Sequence, residues 1–376
     1  MSGLTHYRYI DALRGFAFLC VLTVHASLQV PGLPGASLTA AGKYGVQLFF
    51  LLSAVTLLRS VAVRSNQEQS PIRNFLIRRF FRIAPLFWCG IVLYFLLDGF
   101  APRFWAPHGI GFWHLASTAL FLHGWSPLTI SSVVPGGWSI AVEMTFYLCL
   151  PFLAKRVRSA WSALSLVFFT LVGSVFLEWL VRPRLTAAFP PAEEFLAGSF
   201  LYYWFPAQLP VFLAGFVVYF ALQSEALKRL LAVPGRPALL AIMALAALVG
   251  LSGVQSTLIP RDIFYVAAFS ALILALAARP FAAAVNPLTC GLGVISFSCY
   301  LTHFAALRAV EHFLTDETFA ALPPRVGPVI HFVALWGATL ALTAAISTVT
   351  YFLIEKPGIR LGSRIIKRLE SGTKAA

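Results

Sequence analysis

Long apolar runs recur along this chain, about ten of them, each close to the roughly 20 residues that a helix needs to cross a bilayer at 1.5 Å per residue. Their approximate cores are residues 12–30, 44–63, 80–97, 138–153, 161–181, 200–222, 238–254, 262–278, 291–310 and 328–354. In lipid every backbone N–H and C=O must be satisfied internally, so such a chain has few folds open to it. The expectation is an all-α, polytopic integral membrane protein with about ten transmembrane helices. A composition of 59% hydrophobic and 11% charged residues, with a mean hydropathy of +0.82, lies far from the averages of soluble domains.

Residues 110–124 are apolar but short, contain His114 and His123, and lead into Pro135, Gly136 and Gly137. They read as a re-entrant or interfacial helix. Charge supports that choice, because Lys and Arg collect on the cytoplasmic side. With ten spans and both termini cytoplasmic, 20 of the 28 Lys and Arg residues fall inside and seven outside, with Arg14 within the first span. Counting 110–124 as a full span would invert every later segment. Residues 1–354 thus form a membrane domain, and 355–376 a basic, amphipathic cytoplasmic tail that reads most simply as a helix on the inner membrane surface.

The net charge of +14 follows from this orientation and gives no ground for a nucleic-acid partner. The first span is expected to remain, since its apolar stretch contains His25 and no small-residue cleavage site follows. All five cysteines lie in apolar runs without CxxC spacing, which favours packing roles over disulfides or metal, and no metal is expected. HExxH, GxSxG, GxGxxG and Walker A patterns are absent.

Against this apolar background a few polar residues stand out. Arg14 and His25 are eleven residues apart, so on a helix they lie about 20° apart in azimuth and roughly 16 Å apart along the axis. Arginine near a helix end also snorkels, and a lone histidine also bonds a neighbouring helix, so neither decides alone. "WSIAVEMTFYLCLP" (138–151) adds Glu143 at a depth similar to His25. Charged residues near the bilayer centre cost about 2.5–3.5 kcal/mol each on insertion scales, so they require partners or water. A carboxylate beside an imidazole suits a general base. In "SFSCYLTH" (296–303), Ser296, Tyr300 and His303 follow i, i+4, i+7 spacing, although Ser and Thr also bond backbone carbonyls in membrane helices. "RNFLIRRFFRIAPLFW" (73–88) gathers Arg73, Arg78, Arg79 and Arg82 at a span entrance, a plausible phosphate clamp and equally a product of the positive-inside bias. Glu355 in "YFLIEKPGIRL" re-enters at the depth of Arg14 and that cluster, where it can pair with one of them.

Taken in order, these segments resemble the acyltransferase family 3 membrane O-acyltransferases over almost the whole chain. The resemblance rests on "IDALRGFAFLCVLTVHA", "FFLLSAVTLL", Arg79-x-x-Arg82, "WSIAVEMTFYLCLP", "SFSCYLTH" and "YFLIEKP". It implies a ten-span fold in the bacterial inner membrane, acyl-CoA (acetyl-CoA first) as cytoplasmic cosubstrate, and a hydroxyl of a surface or exported glycan as acceptor. It also implies functional positions at Arg14, His25, Arg79, Arg82 and Glu355. Two departures are visible: Met144 follows Glu143 where a second acid is usual, and Ala54 stands where the family has glycine. Some relatives append a secreted transferase domain, so transfer here is expected to finish within the membrane domain or with a separate partner.

The resulting expectation is that Arg14, Arg79 and Arg82 hold CoA phosphates, with Glu355 among the donor-binding residues, while His25, oriented by Glu143, deprotonates the acceptor. Trp138, Ser139, Ser298, Tyr300 and His303 are the candidate substrate or oxyanion contacts. A covalent acyl-histidine route stays open. So do a small acceptor such as a macrolide or lipid-linked metabolite, and a proton-coupled transporter, which also uses intramembrane Arg, His and Glu. Membrane lipid is the surrounding partner; acceptor identity and oligomeric state are not encoded in any pattern found.

Overall fold

The apolar runs fold as helices, and no β-strand forms among the described residues, which in this computed structural model are 7–253 and 260–373. Val254, at the end of one expected span, and Lys374, among the expected tail cations, lie outside them. The first part of the chain contains α1 (Arg8–Leu28), α2 (Ala36–Ala40), α3 (Gly45–Arg64), α4 (Pro71–Asp98), α5 (Phe112–Ala119) and α6 (Trp138–Arg156). There follow α7 (Ala160–Thr186), α8 (Glu194–Tyr203), α9 (Phe205–Ala221), α10 (Glu225–Ala232), α11 (Arg236–Gly250) and α12 (Arg261–Ala278). The chain continues through α13 (Pro287–Val294), α14 (Ser296–Glu311), α15 (Asp316–Phe319), α16 (Gly327–Thr350) and α17 (Lys356–Thr373).

Eight helical segments among the described residues are long and apolar enough to cross a membrane, and the bent pair α13–α14 makes a ninth. The 19-residue α6 has the length, about 28 Å, but carries Glu143, Lys155 and Arg156. Counting α6 gives the ten spans expected. The segment 110–124 contributes only α5 and a 3-10 turn at His123–Trp125; at eight residues, about 12 Å, α5 is too short to span.

The chain divides into two compact units, Met1–Val55 with Val218–Tyr351, and Thr56–Val217 with Phe352–Ala376. In the first, α1 packs against α13, α14 and α16. Ala26, Val30, Leu307, Val310 and Leu335 form one buried cluster, and Phe18, Leu22 and Cys299 another. The α1–α13 contact needs glycine on both sides: a Cβ on Gly15 would lie 2.4 Å from the Thr289 carbonyl oxygen, and one on Gly293 only 1.8 Å from that of Asp11. Small residues let membrane helices approach to backbone contact. Gly293→Ala is therefore expected to destabilise the protein by about 1–3 kcal/mol or more, because backbone cannot rotate away as a side chain can. Thermal unfolding in detergent checks this; an unchanged midpoint would show that the two helices are free to part.

Here the structure corrects one expected span. Residues 291–310 are not a continuous helix, because the chain bends by 82° between α13 and α14. Asn286 Oδ1 caps α13 by accepting from the backbone N–H groups of Leu288 and Thr289, each at 3.0 Å, and Pro287 occupies its first turn. The glycine-containing α13 follows the surface of α1, and α14 restarts at Ser296 with its polar residues already buried.

In the second unit α4 packs on α5, α6 and α17. The helix that begins as α16 runs without a break through Gly327–Ser371, and its residues Tyr351–Glu355 form a π-turn. Pro357 explains that turn: it lacks an N–H, and its ring would clash with an ideal preceding turn. Beyond it, Gly358 and Gly362 bring α17 against α4, where a Cβ would meet the Phe81 carbonyl oxygen at 2.7 Å and the Phe81 side chain at 2.8 Å. Glu370 accepts hydrogen bonds from Asn74 Nδ2 at 2.7 Å and the Gln69 N–H at 3.1 Å. The tail is thus fastened to a protein helix, a contact its amphipathic pattern alone does not specify.

Candidate active site

In the first unit α1 carries Arg14 near its start and His25 near its end, as their spacing predicts. Arg14 lies 3.6 Å from the carboxylate of Asp11, one turn earlier on the same helix. His25 is half-buried. Its ring centroid lies 5.4 Å from that of His303 and 4.3 Å from that of Phe304. Among the described residues of its unit no group hydrogen-bonds the His25 imidazole.

His303, on α14, is wholly buried. Its Nδ1 lies 2.7 Å from the Tyr300 carbonyl oxygen. A carbonyl only accepts, so Nδ1 holds the proton and, in the neutral ring, Nε2 presents a lone pair. That Nε2 has no hydrogen-bond partner among the described residues. Around the two imidazoles, Phe18 meets His303 edge-on at 6.2 Å and Tyr300 lies 5.8 Å away. Trp336 Nε1 donates to Thr23 Oγ1 at 3.1 Å, joining α16 to α1 half a turn from His25. Ser298 is also buried on α14, and Thr302 bonds Ser347 Oγ at 2.9 Å.

The second unit holds the remaining candidates. Arg82, on α4, lies 3.1 Å from Glu355 Oε1. Glu355 is 0% exposed and Arg82 28%, so the π-turn delivers a fully enclosed carboxylate to a guanidinium that keeps one side open. Arg82 is one of the partners that the sequence left open to Glu355. Arg79, three residues earlier, lies within electrostatic reach of Tyr147, Arg82 and Glu143, and its buried Nε has no hydrogen-bond partner among the described residues. Tyr147 hydrogen-bonds Glu143 from one helical turn further along α6. Trp138 stacks on Tyr203 with centroids 4.4 Å apart, and Ser139 Oγ donates to the Gly136 carbonyl at 3.1 Å. Among the described residues no group of three or more His, Cys, Asp or Glu side chains is placed to hold a metal ion.

The candidates therefore fall into two sets: Arg14, His25, Ser298, Tyr300 and His303 in one unit, and Arg79, Arg82, Trp138, Ser139, Glu143 and Glu355 in the other. The sequence reading missed Phe304, Tyr147 and the Thr23–Trp336 bond. The i, i+4 spacing of Glu143 and Tyr147 was a usable signal for the second. Nothing in the sequence around Phe304 or Trp336 distinguishes them from other apolar-span aromatics.

An acyltransferase domain model matches residues 7–348. The chain belongs to acyltransferase family 3. Comparison with curated proteins and with solved structures gave no match. The match spans both units and takes in every candidate except Glu355. This acyltransferase is a multi-pass membrane protein.

Proposed function

We propose that this acyltransferase transfers an acyl group from acyl-CoA, acetyl-CoA first, to a hydroxyl of an exported or cell-surface glycan from the bacterial inner membrane. The observation that carries the reading is the imidazole pair His25 and His303 inside a membrane domain of this family. His25, half-buried and without a hydrogen bond from its own unit, takes the proton of the acceptor hydroxyl. The acceptor oxygen attacks the thioester carbonyl, the C–O bond forms and the C–S bond breaks. The imidazolium of His25 then returns the proton to the departing thiolate. The hydroxyls of Ser298 and Tyr300, on the same helix as His303, are donors for the developing oxyanion.

Arg79 and Arg82 supply the anion-binding half. A guanidinium has five N–H donors, so Arg82 can keep Glu355 on one edge and offer the other to a CoA phosphate. Glu355 then positions Arg82, as Glu143 and Tyr147 position Arg79.

Protein reconstituted in proteoliposomes with isotopically labelled acetyl-CoA tests this. Label is expected to reach acceptor hydroxyls, with acetyl-CoA binding that saturates and is weakened by Arg79→Gln. Mass spectrometry of surface glycans from a strain lacking the gene is expected to show a missing acyl group. Substrate flux across the membrane with no acyl-CoA consumed would instead make the protein a carrier.

A further inference from the structure

Outside the candidate active site, a cavity of about 190 Å³ opens among the ends of three helices in the second unit: the last turns of α3, the first turns of α4 and the last turn of α6. All three ends lie on the cation-rich face of the membrane by the charge distribution described above. Part of its wall is apolar, formed by Leu58, Val61, Phe75 and Pro151, and Arg64, Arg78 and Lys155 line it as well.

The charges around it are unevenly matched. Glu68 lies between the two arginines, with Arg78 bonding both its oxygens at 2.7 and 3.0 Å and Arg64 one of them at 3.0 Å. Burial disfavours its charge, but the hydrogen bonds from Arg78, Arg64 and Asn74 outweigh that and hold its carboxyl below the usual range. One carboxylate therefore answers three cations. The Nε atoms of Arg64 and Arg78 are buried and have no hydrogen-bond partner among the described residues. Glu370, the other acid nearby, is engaged by Asn74 and Gln69.

A site with guanidinium N–H groups and an ammonium beside an apolar wall, at the cation-rich ends of three helices, matches one chemistry: a phosphate ester on a hydrocarbon stem. We infer that this cavity binds an anionic phospholipid of the surrounding leaflet, its phosphate held by Arg64, Arg78 and Lys155 and its glycerol and first methylenes against Leu58, Val61, Phe75 and Pro151. The site is separate from Arg79 and Arg82, neither of which lines the cavity, and it does not rest on the proposed reaction.

Native mass spectrometry of the delipidated full-length protein, titrated with phosphatidylglycerol or phosphatidylcholine, tests it. One phosphatidylglycerol is expected to bind in preference to phosphatidylcholine, and Arg64→Gln with Lys155→Gln is expected to weaken it on the order of tenfold or more. Millimolar inorganic phosphate or CoA should leave the lipid bound. Equal binding of both lipids, unchanged retention in the double variant, or displacement by either soluble anion would overturn the assignment, the last by making this a soluble-phosphate site. Lys155→Gln alone changes only an exposed side chain on the rim, so a measurable loss of phosphatidylglycerol is expected from it even where the double variant does not fold.

Discussion

His25→Ala is expected to lower acyl transfer by about 10²- to 10⁴-fold, the range that a positioned general base contributes. The structural cost should be small by comparison, because His25 is only half-buried and meets His303 and Phe304 through tilted ring contacts. Turnover of labelled acyl-CoA in proteoliposomes, read beside thermal stability, separates the two effects. Near-normal turnover in a folded variant would remove His25 from the chemistry. His303→Phe serves as a second arm of the same experiment. It keeps an aromatic ring beside Phe304 but removes the Nε2 lone pair and the Nδ1–H that bonds the Tyr300 carbonyl. If His303 acts on His25, kcat falls while the KM for the donor holds; if it only fills space, neither moves.

These side chains differ in how far a sequence can reveal them. Arg14 and His25 were readable because one helix carries both, and helical geometry alone fixes their shared face. The neighbours of His25 are another matter. Depth in the membrane suggested Glu143; within the first unit the packing of α1 on α14 adds His303 and Phe304, whose azimuth depth alone does not give. The break at Ile295 was hidden for a related reason. Gly291 and Gly293 are ordinary in an apolar span, and the bend follows from α13 lying against the backbone of α1, a contact between segments nearly 280 residues apart. Glu355 was readable as an anomaly, since a carboxylate at a span end with proline two residues on is costly. Its contact with Arg82 became visible only through the π-turn and the glycines that hold α17 on α4.

That enclosed carboxylate sets the second large effect. Arg82→Ala is expected to destabilise the protein by about 3–5 kcal/mol, because it removes the guanidinium that lies 3.1 Å from a fully enclosed carboxylate. Glu355→Gln alone should cost less, since Arg82 is 28% exposed and can turn its charge towards water. In the double variant Arg82→Ala with Glu355→Gln the enclosed charge is gone along with the guanidinium, so most of the lost stability should return. Catalysis should not follow: if Arg82 also binds a donor phosphate, the double variant regains its melting temperature while its KM for acyl-CoA stays raised. Recovery of both would reduce Arg82 to a structural counter-ion. Failure of stability to recover would show that the cost of Arg82→Ala lies in lost packing of its aliphatic stem on α4. The thermal midpoint and the donor KM, measured on the same three variants, decide between holding the helix and holding the substrate.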